Sequence, residues 1–130
     1  RLEMGSVIVE QARWPNGCLG FDLPRQGCAA IAFSDGYRLV MAVYGNLFEI
    51  HGIASSPGDF RLDPAQDSAL IAIKDLRDQG IKLSTIKIDS SVLKYENDTI
   101  YFDVVLSSGG RQWVYTIDYW KKEITERSPK

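Results

Sequence analysis

The spacing of hydrophobic residues changes period just after Gly80. Between residues 64 and 79, apolar side chains recur at the i, i+3, i+4, i+7 spacing of one helical face, namely Ala69, Ala72, Ile73 and Leu76. From residue 86 onward, apolar and polar residues alternate, which is typical of strands that bury one face. The pattern therefore predicts one helix followed by a run of antiparallel strands.

The predicted helix has clear start and end signals. Asp63 is the expected N-cap, Pro64 suits the first helical position, and Gln66 can complete a capping box. Gly80 suits the left-handed position that ends a helix. We expect the helix to cover residues 64–79.

The strongest alternation lies on either side of Gly109 and Gly110, which predict a hairpin turn. Two sets of residues each share a strand face: Ile100, Phe102, Val104 and Leu106, then Trp113, Tyr115, Ile117 and Tyr119. Shorter extended segments are expected at residues 86–89 and 92–96, and a frayed one at 122–125.

The first half of the chain reads as strands and loops. The predicted strands are residues 7–9, 29–34, 37–44 and 47–53. Turns are expected at residues 35–36 and 45–46, where glycine pairs with Asp or Asn. Residues 12–28, rich in proline and glycine, are a predicted loop, and a loop at 55–59 is expected between the two halves.

Together these elements predict one α+β domain over residues 1–130, an antiparallel sheet of about five to seven strands packed against one main helix. Residues 1–58 would hold mainly strand and loop, and 59–130 the helix and hairpins. One helix covers only one face of such a sheet, so we expect the other face to meet water or a partner.

The composition is that of an ordinary globular chain, with 45% hydrophobic and 25% charged residues and a net charge of -2. Basic residues are not clustered, so we expect no nucleic-acid partner. No apolar run approaches the roughly 20 residues that span a bilayer, so no membrane span is expected. Because the chain begins with Arg1, we expect a processed or trimmed product whose targeting segment has been removed.

The two cysteines, Cys18 and Cys28, each follow a glycine in the turn-rich segment. Their spacing is too wide for a Cys-x-x-Cys motif and favours a disulfide-closed loop, worth roughly 2–3 kcal/mol of stability. Two unpaired core cysteines are the alternative. A disulfide would indicate an oxidising compartment, the periplasm or the extracellular space.

The second half of the chain resembles the PepSY domain, in which a helix precedes an antiparallel hairpin. The matching residues are Ala69, Ala72 and Leu76, then residues 101–106, 114–118 and 123–124, with Gly109 and Gly110 between the strands. Residues 119–122 stand where the family usually has Thr-Gly. The resemblance implies a secreted or envelope module, often linked to regulating peptidases, without catalytic residues of its own.

His51 is the sole histidine and the candidate general base, with Cys18 or Cys28 as the nucleophile. Residues 16–21 resemble the Cys-Ser-Gly turn of the NlpC/P60 cysteine peptidases. A small cysteine hydrolase is therefore the alternative function, although a lone histidine at a strand end is more often structural. Neither metal-ligand spacing nor a cofactor motif occurs, so we expect no metal and no cofactor.

The aromatic residues Trp113, Tyr115, Tyr119 and Trp120 allow two interpretations. They can pack on the helix as core, which large aromatic side chains favour. They can also form a partner-binding row on the uncovered sheet face, since Trp and Tyr are frequent interface anchors. The sequence thus suggests a non-catalytic protein-binding module, such as an inhibitor, an immunity protein or a regulatory protein, rather than an enzyme.

Overall fold

The computed structural model describes residues 4–21, 23, 24, 27, 28 and 34–129. Backbone contacts divide the chain into two compact units, Arg1–Asp63 and Pro64–Lys130. The predicted boundary loop at residues 55–59 is wrong, because residues 56–62 form a strand and the division falls after Asp63. The single domain over residues 1–130 stays a prediction.

The first unit is a four-stranded antiparallel sheet in which each strand pairs with its sequence neighbours. Its strands are β1 (Met4–Trp14), β2 (Ser34–Val43), β3 (Asn46–Ile53) and β4 (Ser56–Leu62). Tyr44 and Gly45, between β2 and β3, both have positive φ, as the favoured two-residue hairpin turn requires. The strands predicted at residues 37–44 and 47–53 are confirmed, and the one at 7–9 lies within the longer β1.

Asp35 and Gly36, predicted to form a turn, instead lie inside β2. A Cβ on Gly36 would collide with the Gly52 carbonyl and the Trp14 indole, so glycine is needed there for close packing rather than for turning. The predicted loop at 12–28 is also too long, since β1 continues to Trp14. Of the strand predicted at 29–34, residues 29–33 lie outside the described residues.

The second unit holds the helix and the other four strands. Helix α1 (Pro64–Asp78) and a short 3-10 helix (Leu83–Thr85) precede β5 (Lys87–Glu96), β6 (Thr99–Ser108), β7 (Arg111–Asp118) and β8 (Glu123–Pro129). The prediction of one sheet with five to seven strands is therefore wrong, because the strands form two sheets of four. The helix separates β4 from β5 in the chain, and each set of strands pairs locally.

The bounds of α1 agree with the sequence signals at Pro64 and Gly80, and the capping box of Asp63 and Gln66 stays a prediction. The helix begins at Pro64, directly after Asp63, and Gly80 follows its end with a φ of 97°. The Ile81 amide donates to the Leu76 carbonyl and the Gly80 amide donates to the Arg77 carbonyl, which is the Schellman arrangement. Glycine avoids the strain that a side chain would create at this φ.

The core of the second unit lies between α1 and one face of its sheet. Alternate residues of β6 and β7 are buried, among them Ile100, Val104, Leu106, Tyr115 and Ile117. From α1, Ala72 and Leu76 are fully buried. Burying one such large apolar side chain contributes about 1.5–3 kcal/mol, so this interface stabilises the unit.

Candidate functional site

His51, the predicted general base, is buried in the first unit with 6% of its surface exposed. Its ring is stacked between two aromatic rings, with centroid distances of 4.5 Å to Trp14 and 3.9 Å to Phe21. The Trp14 indole N–H donates to the Gly52 carbonyl at 2.9 Å, which fixes one side of the stack to β3. The imidazole is therefore held on both faces.

Both ring nitrogens of His51 face hydrogen-bond acceptors. Nδ1 lies 2.5 Å from the Leu19 carbonyl oxygen, and Nε2 lies 2.5 Å from the Glu49 carboxylate. Both contacts are within hydrogen-bonding distance, so the ring is held at both of its nitrogens as well as on both of its faces.

Glu49 is held as an anion by a row of charges across three strands. Arg38 donates from Nε and Nη2 to the two Glu49 oxygens at 3.0 and 2.9 Å, and from Nη1 to Glu10 at 2.7 Å. Burial alone would raise the pKa of Glu49, but the hydrogen bonds from Arg38 and His51 outweigh it and leave the pKa below its usual 4.5. In the strand register, Glu10 opposes Arg38 and Arg38 opposes His51.

The Cys18–Cys28 disulfide predicted from the sequence is present, with a Cα–Cα distance of 5.2 Å. Cys18 is buried, and its backbone amide donates to the side-chain oxygen of Asn16 at 3.0 Å. The next residue, Leu19, carries the carbonyl that receives the His51 hydrogen bond. The disulfide loop is thus tied to the sheet through His51.

This arrangement determines what Cys18, Cys28 and His51 can do chemically. Nucleophilic attack by cysteine needs a thiolate, and neither sulfur provides one while the two are joined. General base catalysis needs a ring nitrogen that can reach a substrate, and both nitrogens of His51 lie against oxygen atoms of Leu19 and Glu49. In the oxidised chain these residues are placed as a structural cluster. In the part of the chain that the structure describes, no three His, Cys, Asp or Glu side chains are grouped to hold a metal ion.

The predicted aromatic row belongs mostly to the core. Trp113, Tyr115 and Tyr119 are 5%, 0% and 6% exposed, because their alternate positions face α1. A side chain buried within its own unit offers no area to a partner, so the partner-binding prediction for these three is replaced by a core role. Trp120, at 45% exposed, is the member of the row that remains accessible.

Two further exposed residues of the second unit were not singled out from the sequence. Leu93 and Tyr95 of β5 are 41% and 42% exposed, and they oppose Phe102 and Ile100 in the strand register. Directly opposed residues share a sheet face, so both lie on the face that carries the aromatic core. The signal available was their alternation within β5. Trp120 lies elsewhere in this unit, in the turn after β7, and we call Trp120 and the two exposed lysines that follow it, Lys121 and Lys122, the Trp120 patch.

A second exposed apolar surface lies on β1. Val7, Ile8 and Val9 are 47%, 52% and 65% exposed, and β1 is the first strand of its sheet. The sequence marked these residues as a strand but gave no reason to place them at an edge. Three consecutive exposed β-branched residues are unusual on a strand that, among the described strands, lies at the edge of its sheet.

None of the helices in the described ranges is both long enough and apolar enough to cross a membrane. Comparisons with known proteins identify no relative, since no family model, no curated protein and no solved structure matches the chain.

Proposed function

We propose that the chain is a non-catalytic protein-binding module of the periplasm or extracellular space that binds its partner through the Trp120 patch. Its biological role would be that of an inhibitor, an immunity protein or a regulatory protein. The observation that carries the proposal is the exposure of Trp120 at 45%, next to an aromatic core that supports it.

Trp120 is supported from below by packed aromatic rings. Its ring meets Tyr119 edge-on at a centroid distance of 5.4 Å, and Tyr119 meets Phe102 in the same way at 5.7 Å. A side chain held in this manner loses little conformational entropy when a partner binds. Tryptophan residues in such settings are frequent hot spots of protein interfaces.

The charges beside Trp120 indicate the chemistry of the partner. Lys122 Nζ lies 3.3 Å from the centroid of the Tyr119 ring and pairs with Asp67 at 2.9 Å. Lys121 is exposed in the same turn. A partner surface with an apolar pocket bordered by acidic side chains would complement both the tryptophan and the lysines.

The proposed compartment is supported by the disulfide. Structural disulfides persist in oxidising environments and are rare in reducing ones. The chain has two cysteines and both are joined, which agrees with an extracytoplasmic location. Membership of the second unit in the PepSY family stays a prediction, and its implication of an envelope or secreted module agrees with the proposal.

The test is photo-crosslinking from position 120 in an extract of the source cells, using a photoreactive phenylalanine derivative. The matched control carries the same group at Leu70, which is 40% exposed on α1. We expect one protein to be joined from position 120 and not from position 70. The purified pair should then bind at least about tenfold more weakly after Trp120→Ala, the loss of a typical hot spot.

Leu47→Ala, a change at a 61% exposed residue of the first unit, should leave the same affinity within about twofold. Equal binding by the Trp120→Ala and wild-type proteins would overturn the proposal. So would crosslinking that is identical from positions 120 and 70, because the contact would then be unspecific.

A further inference from the structure

The four edge strands of the two sheets differ in how well they are protected against pairing with another chain. Charged side chains and proline hinder such pairing. Three of the edges carry them: Pro57, Asp59 and Arg61 on β4, Lys87, Asp89, Lys94 and Glu96 on β5, and Glu123, Glu126, Arg127 and Pro129 on β8. In β1, the charged residues Glu10 and Arg13 lie in the second half, and residues 4–9 contain neither charge nor proline. Among the described edge strands this is the longest segment without either, so it is the least protected one.

The exposed part of β1 is also regular. The register with β2 is irregular between Met4 and Val7, and it runs without interruption from Val7 to Trp14. Val7, Ile8 and Val9 therefore stand at the start of a straight segment. Their β-branched side chains suit a strand, and their exposures of 47%, 52% and 65% leave them open to contact.

We propose that β1 pairs antiparallel with β1 of a second copy of this chain, about a two-fold axis at Ile8. Each Ile8 would lie opposite the partner's Ile8, and Val7 opposite the partner's Val9. The two four-stranded sheets would then continue as one sheet of eight strands. The outer N–H and C=O groups of this segment would be satisfied by the second copy.

The sequence of the exposed run explains why the occupant is a second copy. Val7-Ile8-Val9 reads the same in both directions, so a two-fold axis at Ile8 places apolar groups opposite apolar groups. An axis two residues further along would place Glu10 opposite the partner's Glu10, and like charges in direct opposition are unfavourable.

The test is the oligomeric state of the oxidised chain, measured by sedimentation at about 100 µM, where a dissociation constant in the micromolar range gives mostly dimer. We expect a dimer for the wild type and a monomer for Ile8→Lys, because two lysines would oppose each other. Phe60→Lys, at a 56% exposed residue of the other edge strand, should remain dimeric. Circular dichroism checks that each variant is folded.

A charge exchange tests the proposed axis directly. Ile8→Lys and Ile8→Glu should each be monomeric, and an equal mixture should form a heterodimer, because the introduced lysine would face the introduced glutamate across the axis. If the charged variants do not fold, Ile8→Thr, which keeps a β-branched residue, replaces them as the test. It should raise the dissociation constant of the dimer at least about tenfold.

A monomeric wild type, a dimeric Ile8→Lys variant or a mixture that stays monomeric would each overturn the proposal. Trp120→Ala should still be dimeric. The dimer and the binding function proposed for the Trp120 patch therefore fail or succeed separately.

Discussion

The Nε2 atom of His51 lies 2.5 Å from the Glu49 carboxylate, while its Nδ1 atom lies 2.5 Å from the Leu19 carbonyl oxygen. A buried polar side chain is costly unless it finds hydrogen-bond partners, and here both ring nitrogens have one. The rings of Trp14 and Phe21 add stacking contact on both faces of the imidazole. The pair therefore joins the disulfide loop to the sheet.

Replacing Glu49 with Gln should destabilise the first unit, because it removes the carboxylate that pairs with Arg38 and contacts His51. We expect the free energy of unfolding at neutral pH to fall by about 1.5–3 kcal/mol, the range for hydrogen bonds to charged groups. The measurement is urea unfolding followed at the Trp14 indole N–H signal by NMR. Asp35→Asn, at a side chain that is 88% exposed, is the matched control and should change little.

Glu49 also makes the stability of the first unit depend on pH in the acid range. The pKa of Glu49 is lowered in the folded state, so the unfolded chain binds protons more tightly. Its stabilisation is complete above the ordinary pKa of about 4.5 and is lost as the pH falls through the folded value. We expect the free energy of unfolding, followed at the Trp14 signal, to fall less steeply with decreasing pH in Glu49→Gln than in the wild type. An equally steep fall in the two proteins would contradict the role given to the carboxylate.

Removing the disulfide should destabilise the first unit by about 2–3 kcal/mol, the amount expected for a loop of this length. The change is the double variant Cys18→Ser with Cys28→Ser, measured by urea unfolding against the oxidised wild type. The unreduced wild type should contain no free thiol when denatured, and the reduced one should contain two, since the chain has two cysteines. Two free thiols without reductant would show that the bond is absent.

Tyr115→Phe should cost the second unit about 1 kcal/mol, because the Tyr115 hydroxyl donates to Asp75 at 2.7 Å. Burial, and then the hydrogen bond to Asp75, raise the pKa of Tyr115 above its usual 10.0. Its stabilisation is therefore complete below pH 10 and is lost as the pH rises further, toward the folded value.

The measurement is unfolding by urea between neutral pH and the alkaline limit. In Tyr115→Phe, the free energy of unfolding should fall less between neutral and alkaline pH than in the wild type. In Tyr101→Phe, on the opposite sheet face, both this fall and the free energy of unfolding at neutral pH should stay within about 0.5 kcal/mol of the wild type. Equal effects of the two variants would show that the hydrogen bond between Tyr115 and Asp75 does not contribute to the stability of the second unit.

Gly36→Ala should destabilise the first unit by about 1–3 kcal/mol, since a Cβ there collides with the Gly52 carbonyl and the Trp14 indole. Gly58→Ala is the matched control, because a Cβ at Gly58 meets nothing within 4 Å. The check is the midpoint of thermal unfolding of the two variants. Comparable midpoints would contradict the close packing assigned to Gly36.

Local sequence signals predicted the second unit well. Pro64 and Gly80 act on the backbone next to them, and the alternation in β6 and β7 follows directly from which side chains face α1. Such signals depend on neighbours within a few residues, so they can be read without knowing the fold.

The errors concern contacts between distant residues. Gly36 was interpreted as a turn residue, whereas glycine is needed there because the indole of Trp14, from another strand, packs directly against it. Pro57 and Gly58 signalled a loop, but an edge strand tolerates proline because one side of its backbone needs no partner. The division into two sheets depends on which strands pair with each other, and the alternation of residues within one strand does not predict its neighbour.

The candidate site was predicted only in part. Cys18, Cys28 and His51 were recognised as residues of interest, and the disulfide was expected. The partners of His51 were missed, although Glu49 precedes it by two residues and so shares its strand face. Trp14 and Phe21 gave no signal, because their stacking depends on how residues 16–21 fold back over β3.

The fixed position of the His51 ring decides most directly between a structural cluster and a catalytic base. The chain contains a single histidine, so selective ¹⁵N labelling of histidine reports on it alone. We predict that the ring signals of the oxidised protein show hydrogen bonds at both nitrogens and slow exchange with water, because the ring is buried and both nitrogens lie against oxygen atoms. A ring that exchanges freely with water would contradict the cluster and would leave His51 open to a substrate.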